Sequence, residues 1–266
     1  MSSILFAFLI LAGLGLILGV CLAVADKKFT VEKDTKLVQL EAMMPGANCG
    51  GCGFAGCSAY AEAVFKGEAK PGLCSPGGQA LAEKMGAVMG VEVEQVAEKK
   101  VAFVFCKGTC TKTKKDYKYY GLSDCNAAAL LFGGDNSCKY GCLHLGSCIK
   151  VCEQGAISKN SDGDIVVDSG KCIGCGRCQS VCPKGVIKLI PESSVYAVAC
   201  NSKDKGADVN KKCESGCIGC KICEVKFPGS GFTVTDNLSV YDGKTLNEAT
   251  EQAAQACPKK VIVKLK

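Results

Sequence analysis

The chain has 266 residues, of which 22 are cysteine and 32 glycine, with one histidine and no tryptophan. That is enough for two or three small domains but poor material for one large core, and it suits short loops wrapped round something inorganic. The formal charge of +6 need not mean nucleic acid, since each cluster held by four thiolates carries about two negative charges and no DNA- or RNA-binding motif is present.

The first predicted element is a helix through residues 4–25, "ILFAFLILAGLGLILGVCLAVA", which carries no charge. At about 1.5 Å per residue it covers the roughly 30 Å hydrocarbon core of a bilayer. A signal peptide is the rival, because "AVA" precedes Asp26. Against it, "MSS" has no basic residue and the apolar run is longer than the usual signal core. Cys21 follows Val20 rather than a small residue, which argues against a lipoprotein site. Lys27, Lys28, Lys33 and Lys36 place the following chain in the cytoplasm. The reading is an uncleaved single-pass anchor, residues 1–28, in the lipid bilayer of a bacterial inner membrane. Gly15 and Gly19 form a GxxxG pair, either by chance in a glycine-rich run or for packing on a partner helix.

The next domain, residues 29–100, holds Cys49, Cys52, Cys57 and Cys74 in "NCGGCGFAGCSAYAEAVFKGEAKPGLC". Gly50, Gly51, Gly53 and Gly56 let the backbone approach closely and turn its N–H groups inward. "GCSAYAEAVFKG" and "PGGQALAEKMGAVMG" predict short helices. The helix beside Cys57 points its positive end at whatever anion the thiols hold.

From Val101 the pattern changes to short strands: "VAFVF", "DIVVD", "VIKLI", "AVAC", "FTVTD" and "VIVKL". Residues 101–191 and 192–266 read as two copies of one unit. Cys106 matches Cys200, Cys138 matches Cys213, and Cys142, Cys148 and Cys182 match Cys217, Cys223 and Cys257. The copies differ at Leu145, where a middle cysteine belongs, and at Phe227, in the place of Cys152. The second copy has also lost its later CxxCxxC.

In the first copy "KCIGCGRCQSVCPKGVI" carries Cys172, Cys175, Cys178 and Cys182 with Pro183 after them. This is the C-x2-C-x2-C-x3-C-P spacing of iron–sulfur proteins, in which the fourth cysteine ligates the other cluster. Zinc favours paired CxxC or histidine sets, and disulfides favour short secreted chains. One [4Fe-4S] cluster then takes Cys138, Cys142, Cys148 and Cys182, with Cys138 standing in at Leu145. A second takes Cys152, Cys172, Cys175 and Cys178. The C-terminal unit closes one with Cys217, Cys220, Cys223 and Cys257, and Cys49 to Cys74 hold another. Four clusters are expected. Cys106, Cys110, Cys125, Cys200 and Cys213 remain. They are either buried structural thiols, or Cys106, Cys125, Cys200 and Cys213 hold a fifth cluster. Cys21 reads as a small apolar residue in lipid. The expected fold is α+β: the anchor, a small helical 4Fe-4S domain, then two ferredoxin-like units of the bacterial two-cluster type, the second degenerate.

His144 reads as a residue contacting sulfur or solvent rather than a ligand. The basic stretch "KTKKDYK", Lys112 to Lys118, is a solvated loop or a steering patch for an acidic electron carrier. No strand–GxGxxG–helix fingerprint, Walker A loop or nucleophile–base pair is present, so no catalytic residue is assigned.

In this order, "NCGGCGFAGC", "DCNAAALLFGG", "CKYGCLHLGSCIKVC" and "KCIGCGRCQSVCP" behind an uncharged anchor resemble RnfB, the iron–sulfur subunit of the Rnf complexes, membrane-bound ferredoxin:NAD oxidoreductases that pump sodium ions or protons. The resemblance covers nearly the whole chain. It implies a relay that takes electrons from soluble ferredoxin and passes them to membrane and flavin subunits, which reduce NAD and move ions. A membrane-anchored redox sensor and an independent oxidoreductase are the alternatives.

Overall fold

The computed structural model describes residues 2–29, 34–95, 98–109 and 111–266. Lys33 and Cys110 lie outside the described residues. Helix α1 (Ser2–Phe29) contains one stretch, Phe8–Lys27, long and apolar enough to cross a membrane. Phe8, Leu14, Leu16 and Leu22 on its different faces are all exposed, so no described residue covers them. A Cβ placed on Gly15 or Gly19 meets nothing either.

Three helices build the next domain: α2 (Thr35–Met43), α3 (Cys57–Phe65) and α4 (Gly78–Met89). Asp34 starts α2 by accepting the Lys36 N–H at 2.8 Å, one of the donors a helix start leaves unpaired. Gly90, at φ 70°, ends α4 in the left-handed conformation glycine tolerates. Tyr60, Ala61 and Val64 of α3 and Leu81 and Met85 of α4 recur at helical spacing and meet Leu40 in one core. Burial of Leu40 and Met85 contributes about 1.5–3 kcal/mol each.

The two copies are visible in the strand pairing. In the first, β1 (Lys100–Val104) runs antiparallel to β4 (Ile187–Pro191), and β2 (Ile157–Lys159) to β3 (Ile165–Val167). In the second, β5 (Tyr196–Val198) pairs with β8 (Ile262–Lys264), and β6 (Phe232–Thr235) with β7 (Leu238–Tyr241). First pairs with last, and second with third, in both. Strands β2 and β7 carry no alternation strong enough to read from sequence; in β2 only Ile157 is buried.

Short helices carry the cysteine loops: α5 (Cys125–Leu130), α6 (Ser147–Lys150), α7 (Arg177–Ser180) and α8 (Gly206–Lys212), with a π-helical turn at Ile222–Lys226. Where the first copy has its second CxxCxxC, the second copy has α9 (Glu248–Gln255). Asn247 accepts the Thr250 N–H at 2.9 Å, and Thr250 Oγ1 accepts the Asn247 N–H at 3.3 Å, a reciprocal cap. Ala253 packs with Phe232, Leu238 and Val261, and Phe227 closes on them. Apolar contacts thus fill the second copy where the first has thiols.

The stretch Lys112–Lys118 is not a free loop. The Lys114 N–H donates to the Lys212 carbonyl at 2.9 Å, the Glu214 N–H to the Lys112 carbonyl at 3.0 Å, and the Ser137 N–H to the Lys114 carbonyl at 2.9 Å. Thr113 is buried against Cys213. The segment is stitched to both copies.

Candidate metal centres

Cys49, Cys52, Cys57 and Cys74 line one hollow in the helical domain. Asn48 ties its loop to α3: its Oδ1 accepts the Cys57 N–H at 2.8 Å and its N–H points at Cys57 Sγ at 3.4 Å. Tyr60 holds the far side. Its hydroxyl donates to the Lys70 carbonyl at 3.0 Å and accepts the N–H groups of Gly72 and Leu73 at 3.1 and 3.2 Å, just before Cys74. Burial pushes the Cys74 thiol up.

Cys152, Cys172, Cys175 and Cys178 line a second hollow, with Cys49 at its edge. The Ala102 N–H of β1 points at Cys172 Sγ at 3.3 Å. Burial, and then the charges of Cys172 and Cys175, push the Cys178 thiol up to about 12.

The third set departs from the sequence expectation. Cys142, Cys148 and Cys182 stand with Cys125, not with Cys138. The Cys148 thiol is pushed up to about 11 by burial and then by its neighbours Cys125 and Cys182. Cys142 is raised by burial and by Cys106, Cys148 and Cys125. The cause is local. Asp124 starts α5 by accepting the N–H groups of Asn126 and Ala127, and Ser147 joins it, accepting the Cys125 N–H at 2.7 Å while donating to Asp124 at 2.8 Å. That fastens Cys125 to the loop bearing Cys148. Cys138 instead turns back, with the Gly141 N–H on its carbonyl at 3.1 Å.

Cys217, Cys220, Cys223 and Cys257 line the hollow of the C-terminal unit. The Ser239 N–H points at Cys217 Sγ at 3.5 Å, and Ser239 Oγ lies 3.2 Å from Cys223 Sγ. Cys220 is exposed. Cys106, Cys138, Cys200 and Cys213 line one more hollow between the copies. The expected set of spare thiols therefore loses Cys125 and gains Cys138. Cys21 is exposed on α1.

His144 lines none of these hollows. It is buried with φ 58°, its N–H on Cys142 Sγ at 3.4 Å and its Nε2 at 3.0 Å from the Gly108 carbonyl. Burial lowers its pKa and favours the neutral ring.

Among the described residues, no three His, Cys, Asp or Glu side chains are disposed to hold a single metal ion. The first, second and C-terminal sets each ring a hollow, with backbone N–H groups aimed at sulfur. Soft thiols in fours, with no other donor type, fit a [4Fe-4S] cluster, and N–H donors to the sulfurs tune its potential.

Such thiol sets along two copies of one strand arrangement define an iron–sulfur electron-transfer protein. A family model described as an Fe-S cluster matches residues 44–76, and one described as a 4Fe-4S dicluster domain matches residues 137–186. The chain is 41% identical to the B component of the ion-translocating oxidoreductase complex of Methanosarcina acetivorans, over 98% of this chain and 99% of that one. It is 42% identical to the corresponding component of the proton-translocating ferredoxin:NAD(+) oxidoreductase complex of Clostridium ljungdahlii, over 97% and 91%. It is 38% identical to that of the Na(+)-translocating ferredoxin:NAD(+) oxidoreductase complex of Acetobacterium woodii, over 98% and 78%. The chain belongs to this family, the RnfB components of the Rnf-type ion-translocating oxidoreductase complexes.

Proposed function

We propose that the chain is the electron relay of a membrane-bound Rnf-type complex, accepting electrons from soluble ferredoxin and delivering them to membrane and flavin subunits. NAD reduction and the movement of sodium ions or protons belong to those partners. When bound at the cysteines, [4Fe-4S] clusters supply one-electron carriers. The chain's own residues hold them, bury their sulfurs and aim N–H groups at them.

The observation that carries this reading is the contiguity of the thiol sets. Cys49 of the first set lines the hollow of the second. Cys178 of the second lies close enough to Cys148 of the third for one charge to disfavour the other. The helical domain follows the anchor, so its set is the natural end for delivery to the membrane. Cys220 is exposed in the C-terminal set, which suits the end where a carrier docks. Lys27, Lys28 and Lys36 after the apolar stretch support soluble domains on the cytoplasmic side of the membrane.

The test is iron and acid-labile sulfide on the anaerobically prepared full chain, followed by reduction with ferredoxin. At least about sixteen of each per chain, bleached by reduced ferredoxin, is expected. Zinc in place of iron, or about four irons or fewer, overturns the relay.

A further inference from the structure

We propose that Cys106, Cys138, Cys200 and Cys213 hold a fifth [4Fe-4S] cluster at the seam between the two copies, and that this site is the bridge to the C-terminal unit. The proposal rests on the relay reading above.

All four cysteines line one hollow. Gly108 backs it: a Cβ there would stand 3.3 Å from Cys213 Sγ and 3.6 Å from Cys106 Sγ and would crowd Thr113. The donors are arranged as in the other hollows. The Cys142 N–H points at Cys106 Sγ at 3.4 Å. The N–H groups of Cys217 and Ser202 point at Cys200 Sγ at 3.3 and 3.5 Å. The Thr113 hydroxyl faces Cys213 Sγ at 3.8 Å. A neutral thiol is a weak acceptor, whereas a metal-bound thiolate makes good use of such donors.

The duplication gives a second, independent argument. Cys106 and Cys200 are equivalent positions, as are Cys138 and Cys213, so each copy supplies one matching pair. The donors match as well, because Cys142 and Cys217 are equivalent. Thiols left over by chance would have no reason to meet as two equivalent pairs.

The same donors give the site its neighbours. Cys142 belongs to the third set and Cys217 to the C-terminal set, and each places its N–H on a sulfur of this hollow. The transfer is a single electron: the donor cluster is oxidised by one unit as the acceptor is reduced by one, with no bond or proton exchanged.

The wild-type full chain, prepared anaerobically, should contain about twenty irons and twenty sulfides. About sixteen would overturn the fifth site and leave the relay standing, as would sixteen irons with one zinc; four or fewer would remove the relay beneath it. Cys200→Ala should lose about four irons and slow bleaching of the remaining clusters by reduced ferredoxin at least tenfold. A Cys200→Ala chain that keeps its iron overturns the proposal. A misfolded variant would shed more than one cluster, and the wild-type count then decides alone.

Discussion

Gly51 lies directly against the carbonyl of Cys175: a Cβ added to Gly51 would sit 3.1 Å from that oxygen. This contact joins the helical domain to the first copy beside Cys49, which also lines the second hollow. A Gly51→Val chain should keep its iron but hold the two sets apart. Electron passage between them, followed by rapid mixing with a reductant, should slow several-fold. An unchanged rate would show that the two sets do not exchange electrons here.

Gly174 and Gly219 occupy the same place in the C-I-G-C loops of the two copies, at φ 68° and 61°. A side chain on Gly174 would run into the Lys100 carbonyl, and one on Gly219 would come within 2.8 Å of the Asn237 carbonyl. Backbone strain alone costs of order 1–3 kcal/mol at such positions. Gly174→Ala should release the iron held beside Cys172 and lower the unfolding midpoint, and Gly219→Ala should do the same for the C-terminal set. Metal analysis with denaturant unfolding separates the two.

Tyr60 is buried and its hydroxyl makes three backbone hydrogen bonds around the Cys74 loop. Tyr60→Phe leaves the N–H groups of Gly72 and Leu73 without that acceptor, at about 1–3 kcal/mol. One cluster's iron should then pass to a chelator faster than in the wild type, while the rest is unaffected. Timed chelation resolves the fast fraction.

Cys125→Ala should cost about four irons, because Cys125 stands beside Cys142 and Cys148. Asp124→Ala should weaken the same set by freeing the start of α5, with a smaller loss. Cys21→Ala should lose none. Iron per chain measures all three, and a Cys125→Ala chain with full iron would return Cys138 to the third set.

The contrast between Cys125 and the Cys172 run shows what the sequence can reveal. Cys172, Cys175 and Cys178 stand within one tight loop and line one hollow, so spacing alone brings them together. The same holds for Cys49, Cys52 and Cys57. Helices α3 and α4 and six of the strands are readable from apolar spacing for a similar local reason. Cys125 comes from a separate segment, fastened by Asp124 and Ser147, and no short-range spacing marks it. Cys138, only four residues before Cys142, is the better substitute by spacing alone. The alignment of the copies points the same way as the structure, because Cys138 matches Cys213, and Cys213 does not line the C-terminal hollow. The stretch Lys112–Lys118 reads as solvated by composition, yet its backbone hydrogen bonds and the pairing of Lys115 with the buried Asp135 set its place.

The hollow at the seam takes two cysteines from each copy, which makes each copy the owner of half a site. A lone ancestral unit would have displayed an open pair of thiols at its edge. Two such units meeting about a two-fold axis would have closed the same ring of four. In one chain the two half-sites are tethered, so closing the ring of four needs no second molecule and does not depend on protein concentration.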